Sequence, residues 1–196
     1  MNIYKLYKSE LEHSYTLVSV EDESATGTLP SDAEVVWETG AKSFDIACLK
    51  RNEYLGWEPY RPMIACDHDL RKYIPVDKHD VENIRLLINL GYPTIVPVLR
   101  DMFECLQDFN WPIAKEAAPF LSSLGASCKK TIEEIFNSDD SVWKYWIIQE
   151  VIEKMTKPHA AEYIPLLNKL KDNLSSEDIK EEVDIAISEA LAIIST

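Results

Sequence analysis

The sequence predicts a mainly α protein: an antiparallel α-α superhelix preceded by a small α+β domain. Three observations predict it. Apolar residues recur at helical spacing through residues 79–194. Glycine, proline and capping acids cut that run into short pieces. An imperfect echo links Asp108-Phe109-Asn110-Trp111-Pro112-Ile113-Ala114-Lys115 to Asp139-Asp140-Ser141-Val142-Trp143-Lys144-Tyr145-Trp146, each at the start of a helix. A repeated two-helix unit is the signature of a solenoid, and a solenoid is mostly a binding surface. The reading divides the chain into residues 1–72, the α+β domain, and residues 73–196, the repeat domain.

The first domain opens on alternation. Ile3-Tyr4-Lys5-Leu6-Tyr7 reads as a strand, Tyr15-Thr16-Leu17-Val18-Ser19-Val20 as a second and Glu34-Val35-Val36-Trp37-Glu38 as a third. The polar stretch Glu21 to Asp32, with Gly27 and Pro30, is a loop. Ser43 caps a helix carrying Phe44, Ala47, Cys48, Arg51 and Tyr54, and Gly56 ends it in a left-handed conformation. The segment Trp57 to Met63 is rigid and aromatic and is expected to lead into the second domain.

Seven helices are expected beyond Tyr73. Asp77 or Asp80 caps the first, with Val81, Ile84, Leu87, Ile88 and Leu90 in one stripe and Gly91 as its stop. Pro93 or Thr94 opens the second, which buries Val96, Leu99, Met102, Phe103 and Leu106. Asn110 caps the third; Trp111 and Pro112 occupy its first turn, where proline forfeits no hydrogen bond, and Gly125 ends it. A short fourth carries Ile132, Ile135 and Phe136. Asp139 or Asp140 caps the fifth, whose stripe is Trp143, Ile147, Ile148, Val151, Ile152 and Met155. Lys157-Pro158 breaks the chain before a sixth with Ile164, Leu167 and Leu170. Ser175 or Ser176, followed by Glu177 and Asp178, opens the last, through Val183, Ile187, Ala190, Leu191 and Ile194.

Within these pairs Leu90-Gly91 matches Leu124-Gly125, and Val96-Pro97-Val98-Leu99 matches Ile164-Pro165-Leu166-Leu167. Aligning Trp111 with Val142 sets Ala117, Phe120, Leu121 and Leu124 on Ile148, Val151, Ile152 and Met155, whereas aligning Trp111 with Trp143 would set Leu121 on Glu153. The segment from Tyr73 to Ile194 resembles HEAT-like helical-repeat proteins: Asp108, Lys115 and Ala118 match the turn acid, the basic residue and the small packing residue of that repeat. The D-x-N-W-P-x-A-K motif of Asp108 to Lys115, with Val142-Trp143-Lys144-Tyr145-Trp146, is similar to a bacterial domain-of-unknown-function family built on this plan. The resemblance implies an α-superhelix and a bacterial-type protein, and carries no activity with it.

Composition narrows the function. The chain has 196 residues and a net charge of −14, with acids spread along its length. Nucleic-acid binders need a basic face to displace phosphate counterions, so no nucleic acid is expected. No apolar run approaches the ~18 residues that span a bilayer, so no membrane is expected. Lysines interrupt the N-terminus where a signal peptide is apolar, which makes the cytoplasm the expected location. Cys48, Cys105 and Cys128 sit in apolar, helical context and read as buried, reduced thiols. Cys66-Asp67-His68-Asp69 carries metal-ligand chemistry, but His13, His79 and His159 are distant in sequence, so it reads as a solvated loop. No G-x-S-x-G elbow or glycine-rich phosphate loop occurs, and no catalytic residue, metal or cofactor is expected.

Two readings of the repeat motif stay open. Asp108, Trp111 and Lys115 form a structural unit, the acid accepting backbone N–H groups and the base reaching an acid of the next repeat. Alternatively Trp111, Lys115, Trp143 and Lys144 line one edge of the superhelix as an aromatic and basic binding patch. Three consecutive aromatics, Trp143, Tyr145 and Trp146 with Lys144 among them, point in different directions on one helix, so at least one meets solvent or a neighbouring domain. Glu181, Glu182 and Asp184 suit a polar terminal cap. The expected function is a non-enzymatic protein-binding module, in one version a bacterial immunity-type protein that masks a basic toxin. The alternative is an enzyme or small-molecule-binding protein with its site between the two domains, near Trp57, Tyr60 and Trp111. A monomer is expected, or a homodimer joined through exposed N-terminal strand edges.

Overall fold

Side-chain alternation in the first residues makes a strand that is buried on one face. Tyr4 and Leu6 point the same way on β1 (Asn2–Ser9) and are 3% and 0% exposed. The computed structural model describes residues 1–22 and 27–195, apart from the side chains of Asp67 and His68; residues 23–26 of the expected loop lie outside the described residues. β1 pairs antiparallel with β2 (Ser14–Ser19) on one side and with β3 (Glu34–Ala41) on the other, giving the order β2-β1-β3. Leu6 stands opposite Leu17 and Trp37, and a bulge between Leu6 and Tyr7 shifts the β3 register.

Helix α1 (Phe44–Leu55) then covers the face that carries Tyr4, Leu6 and Trp37. Ser43 Oγ accepts from the Ile46 N–H, and Gly56 ends the helix at φ 64°, a left-handed value that costs glycine nothing. Ile46, Ala47, Cys48 and Leu49 are buried. Tyr54 stacks on Trp37 at 5.3 Å and Phe44 tilts against Tyr4 at 6.1 Å, so aromatic contacts join helix to sheet.

The chain forms two compact units, Met1–Met63 and Ile64–Thr196. This division falls ahead of the 72/73 boundary read from the sequence, because the 3-10 segment Asp67–Tyr73 packs on the helices that follow it and buries Leu70 and Tyr73 there.

Every regular element of the second unit, among the described residues, is a helix. α2 (Val81–Leu90) packs on α4 (Pro112–Ser123), and Arg85 grips Glu116 across them with bonds of 2.8 and 3.1 Å. Between them a 3-10 turn, Val96–Val98, runs into α3 (Leu99–Glu104). After α4 the chain bends through Gly125–Cys128 into α5 (Lys129–Phe136). α6 (Ser141–Ile147) continues as a π-helical turn, Ile148–Ile152. α7 (Lys157–Ala161) and α8 (Ile164–Lys171) follow, then α9 (Ser176–Lys180) and α10 (Val183–Ser195). The core joins Phe103, Leu121, Ile135, Ile147, Val151, Tyr163, Leu167 and Ile187.

Several boundaries differ from the sequence reading, each for a local reason. Asn110 does not cap α4. Its N–H and its amide both turn back to Asp108 Oδ1, at 2.9 Å, and Trp111 takes the extended cap position instead. Asp80 stands before α2, but its carboxylate accepts from the Val76 N–H and from Asn83 Nδ2 rather than capping the helix. Pro158 starts α7 rather than breaking the chain, since proline is tolerated in a first turn. The expected last helix is two, because Glu182 adopts φ 59° and turns the chain between α9 and α10.

Gly125 is a constraint of a different kind. It holds φ 54°, its carbonyl accepts from the Tyr163 hydroxyl at 2.7 Å and from the Cys128 thiol at 3.1 Å, and a Cβ there would collide with the His159 ring. Backbone strain and collision act together, so Gly125→Ala should lower unfolding free energy by on the order of 2 kcal/mol, measured by urea denaturation. A change below ~0.5 kcal/mol would show that His159 moves aside and that the left-handed conformation carries little strain.

Candidate functional site

The strongest polar feature of the second unit grows from two helix starts. Asp140 Oδ1 accepts from the Trp143 N–H at 2.9 Å and so caps α6, which sets Ser141 and Lys144 one turn apart on a shared face. Ser175 and Asp178 form a reciprocal capping box at the start of α9: the Ser175 hydroxyl accepts from the Asp178 N–H, and Asp178 Oδ2 accepts from the Ser175 N–H. The remaining oxygen, Asp178 Oδ1, meets Lys144 Nζ at 2.9 Å and the Ser141 hydroxyl at 2.7 Å. Lys144 is 5% exposed and Asp178 1%. A buried pair of this kind holds its geometry because further hydrogen bonds satisfy the charges.

The electrostatics follow the same geometry. Burial alone pushes the Asp178 carboxyl up. The Ser175 N–H, the Lys144 ammonium and the hydroxyls of Ser141 and Ser175 more than offset it and hold the group at about 2, below its ordinary 3.8. Asp178 is therefore an ionised anchor at neutral pH, engaged on both oxygens, and not a proton donor.

Two depressions are lined by residues of the two helices that this anchor joins and of the turns that flank them. One is a hollow of about 590 Å³, lined by Lys144, Asp178, Asp139, Lys169 and Asn173 among others. Asn137 and Asn173 direct their amide nitrogens to the Glu133 and Lys169 carbonyls at the ends of α5 and α8, and Lys169 pairs with Glu133 at 3.1 Å. The other is a smaller notch of about 290 Å³, lined by Val142, Tyr145, Trp146, Lys180, Glu181 and Glu182. Tyr145 meets Trp146 edge-on at 4.9 Å, and Phe109 leans on Trp146 at 5.5 Å. All three aromatics are half-buried.

Carboxylates gather behind this notch. Burial raises the Tyr145 hydroxyl, and Glu182, Glu189 and Glu153 raise it further. Glu153 follows the π-helical turn; burial raises its carboxyl, Glu189 and Glu150 add to the rise, and Lys154 offsets part of it. Glu153 Oε1 is inaccessible and has no hydrogen-bond partner. A buried carboxylate oxygen without a donor is costly, and a π turn inside a helix is a common companion of functional positions.

The residues singled out from the sequence are dispersed. Trp143 is 3% exposed: its indole N–H donates to the Phe103 carbonyl at 2.9 Å and the Arg100 guanidinium lies over its ring. Lys144 is buried on Asp178. Neither lines an exposed aromatic and basic edge, because the capped start of α6 turns both inward. Trp111 is half-buried and Lys115 is exposed, with no acid partner among the described residues; the inter-helix ion pair of α4 is made by Glu116 instead. In the first unit Trp57 is 47% exposed, with Tyr15 edge-on at 5.7 Å and Arg51 over its ring. The Tyr60 hydroxyl donates to Asp45 Oδ1 at 2.8 Å, and burial together with that carboxylate raises it strongly. At Cys66–Asp69 the side chains of Asp67 and His68 lie outside the described residues; the Asp69 carboxylate accepts from the Ala65 and Cys66 N–H groups. Cys48, Cys105 and Cys128 are buried free thiols.

Sequence reasoning missed the Lys144–Asp178 pair, although the S-x-x-D spacing at Ser175 and Ser141-x-x-Lys144 were both visible. Their meeting across 34 residues of chain was not. Residues 73–191 match the model of a family described as a domain of unknown function, DUF5071. No curated protein matches the chain.

Two outcomes follow for the anchor. Lys144→Ala leaves a buried carboxylate without its cation and should cost about 3–5 kcal/mol in urea denaturation; a cost under ~1 kcal/mol would show that the capping bonds alone suffice. In the intact chain the folded Asp178 value lies below the unfolded one, so its contribution is complete above about pH 4 and is lost as pH falls toward about 2. A stability profile with no such loss between these values would contradict the depressed value.

Proposed function

We propose a function from the surface itself, because the chain belongs to the DUF5071 family and that family has no defined activity. The chain is a non-enzymatic module that binds a basic protein partner. The observation that carries this reading is the set of carboxylates Glu153, Glu182 and Glu189, which form no ion pair among the described residues and act on the Tyr145 hydroxyl, Glu182 lining one notch with the half-buried rings of Tyr145 and Trp146. Like charges held close together are unfavourable, and a cationic partner relieves them. Tyrosine and tryptophan supply the contact area that binding hot spots use.

Three further points support it. The net charge of −14 accelerates encounter with a basic protein and repels nucleic-acid backbone. The most polar buried groups, Lys144 and Asp178, are engaged with each other and so hold the scaffold rather than serve a reaction. An α-α superhelix of HEAT-like repeats, the arrangement we infer for the helical unit, presents extended surface of the kind such partners cover. In its most specific form the module is an immunity-type protein in a bacterial cell that masks a basic toxin. A second reading, a binder of a small polar molecule, is favoured by the 590 Å³ hollow over the Lys144–Asp178 pair, whose volume falls within the ~300–1,000 Å³ of small-ligand sites.

The test is capture from lysate of the source cells with the full chain as bait, at low and at moderate salt. A basic protein retained stoichiometrically at ~0.05 M salt, and several-fold less at ~0.3 M, is the expected outcome. Capture of an acidic or neutral partner, insensitive to salt, would refute the electrostatic reading. Co-expression with an adjacent toxic gene tests the immunity version, which fails if growth is not rescued.

A further inference from the structure

We propose that the notch formed by Tyr145, Trp146 and the turn between α9 and α10 receives the guanidinium group of an arginine side chain presented by a basic polypeptide. The proposal rests on the binding-module reading and names the chemistry that the notch selects.

The walls are aromatic. Trp146 is braced by Tyr145, edge-on at 4.9 Å, and by Phe109 at 5.5 Å, so its ring is held in place before any ligand arrives. Tryptophan is the strongest of the aromatic side chains in attracting a cation to its face. The rim is acidic: Glu181 and Glu182 line the notch, and Glu153 and Glu189 add their field at Tyr145. The one lysine in the lining, Lys180, is already held by Glu177 at 2.9 Å and by Glu181 at 3.8 Å. Glu182 has no ion pair among the described residues.

Size and conformation narrow the occupant. At about 290 Å³ the notch lies just below the range of small-molecule sites and suits one side chain, with the rest of the partner outside. Arginine fits this combination better than lysine. Its guanidinium is planar, weakly hydrated, stacks on aromatic faces and forks onto carboxylates, whereas an ammonium is a strongly hydrated point charge. Glu182 holds φ 59°, a left-handed backbone that glycine would adopt without strain. A carboxylate in place of glycine at such a position accepts that strain and sets an acid on the rim of the notch.

Isothermal titration of the full chain with an oligoarginine peptide, and with oligolysine of equal length, tests this at ~0.15 M salt. Oligoarginine should bind at least ~3-fold more tightly than oligolysine. The triple variant E153Q/E182Q/E189Q, which relieves like-charge repulsion and should fold as well as the parent, should weaken oligoarginine binding by about 10-fold or more. A variant of equal charge change confined to the first unit, E12Q/E21Q/E58Q, should shift it less than ~2-fold. Glu182→Gly provides a further arm: its melting temperature should be equal or higher while oligoarginine binds at least ~3-fold more weakly. Equal losses in the notch and first-unit triple variants would overturn the proposal in favour of diffuse charge, and so would equal affinity for the two peptides or no binding of oligoarginine. A basic protein captured from lysate whose retention survives the local triple variant would remove the notch and leave the binding module. Oligoarginine binding at the notch without any captured protein would do the reverse.

Discussion

The second unit depends on one ion pair. Lys144 from α6 and Asp178 from α9 meet at 2.9 Å, both of them buried, and three further hydrogen bonds to the carboxylate, from the Ser141 hydroxyl and from the Ser175 N–H and hydroxyl, make the contact tolerable. The pair does more than join two short helices. α9 has only five residues, too few to hold a helix by its own propensity, so its place comes from this tether and its capping box. Because α9 then leads through Glu182 into α10, the same contact positions the turn that rims the notch. One oxygen of Asp178 serves the local cap and the other serves the distant lysine. A single carboxylate thus ties local helix initiation to tertiary packing.

Charge is distributed unevenly by function. Where acids are near cations they close gaps between helices: Arg85 to Glu116, Lys169 to Glu133, and Arg100 between Glu104 and Glu134. Such exposed pairs contribute little each. Around Tyr145 the pattern reverses, and Glu153, Glu182 and Glu189 act together on its hydroxyl, Lys154 offsetting part of the field at Glu153. A surface that keeps like charge next to half-buried tryptophan and tyrosine gives up some stability for complementarity to something else. That contrast, rather than the total charge, is the physical basis for proposing a basic partner for this face.

Tryptophans illustrate how two similar motifs diverge. Asp108-Phe109-Asn110-Trp111 and Asp140-Ser141-Val142-Trp143 look alike in sequence, yet Asp140 caps its helix while Asp108 folds back on Asn110. The capped helix starts earlier relative to its tryptophan, so Trp143 turns into the core and donates to the Phe103 carbonyl, while Trp111 stays at the cap position, half-buried. Trp146, three residues on, is the ring left available.

From sequence alone came the mainly helical character, the small N-terminal strand region, the Ser43 and Gly56 helix limits and a helix start at Ser175 or Ser176. Each is local: alternation, 3.6-residue periodicity and hydrogen bonds within a few residues decide them. The tertiary structure alone decided what those elements do together. It buried Lys144, which composition would place on the surface, because Asp178 lies 34 residues away in sequence and 2.9 Å away in space. It split the last helix at Glu182, divided the units at Met63 rather than at residue 72, and gathered Glu153, Glu182 and Glu189 about one tyrosine. Periodicity marks which face of a helix is apolar. Which charge finds a partner is set by long-range packing, and no spacing rule within one helix carries that information.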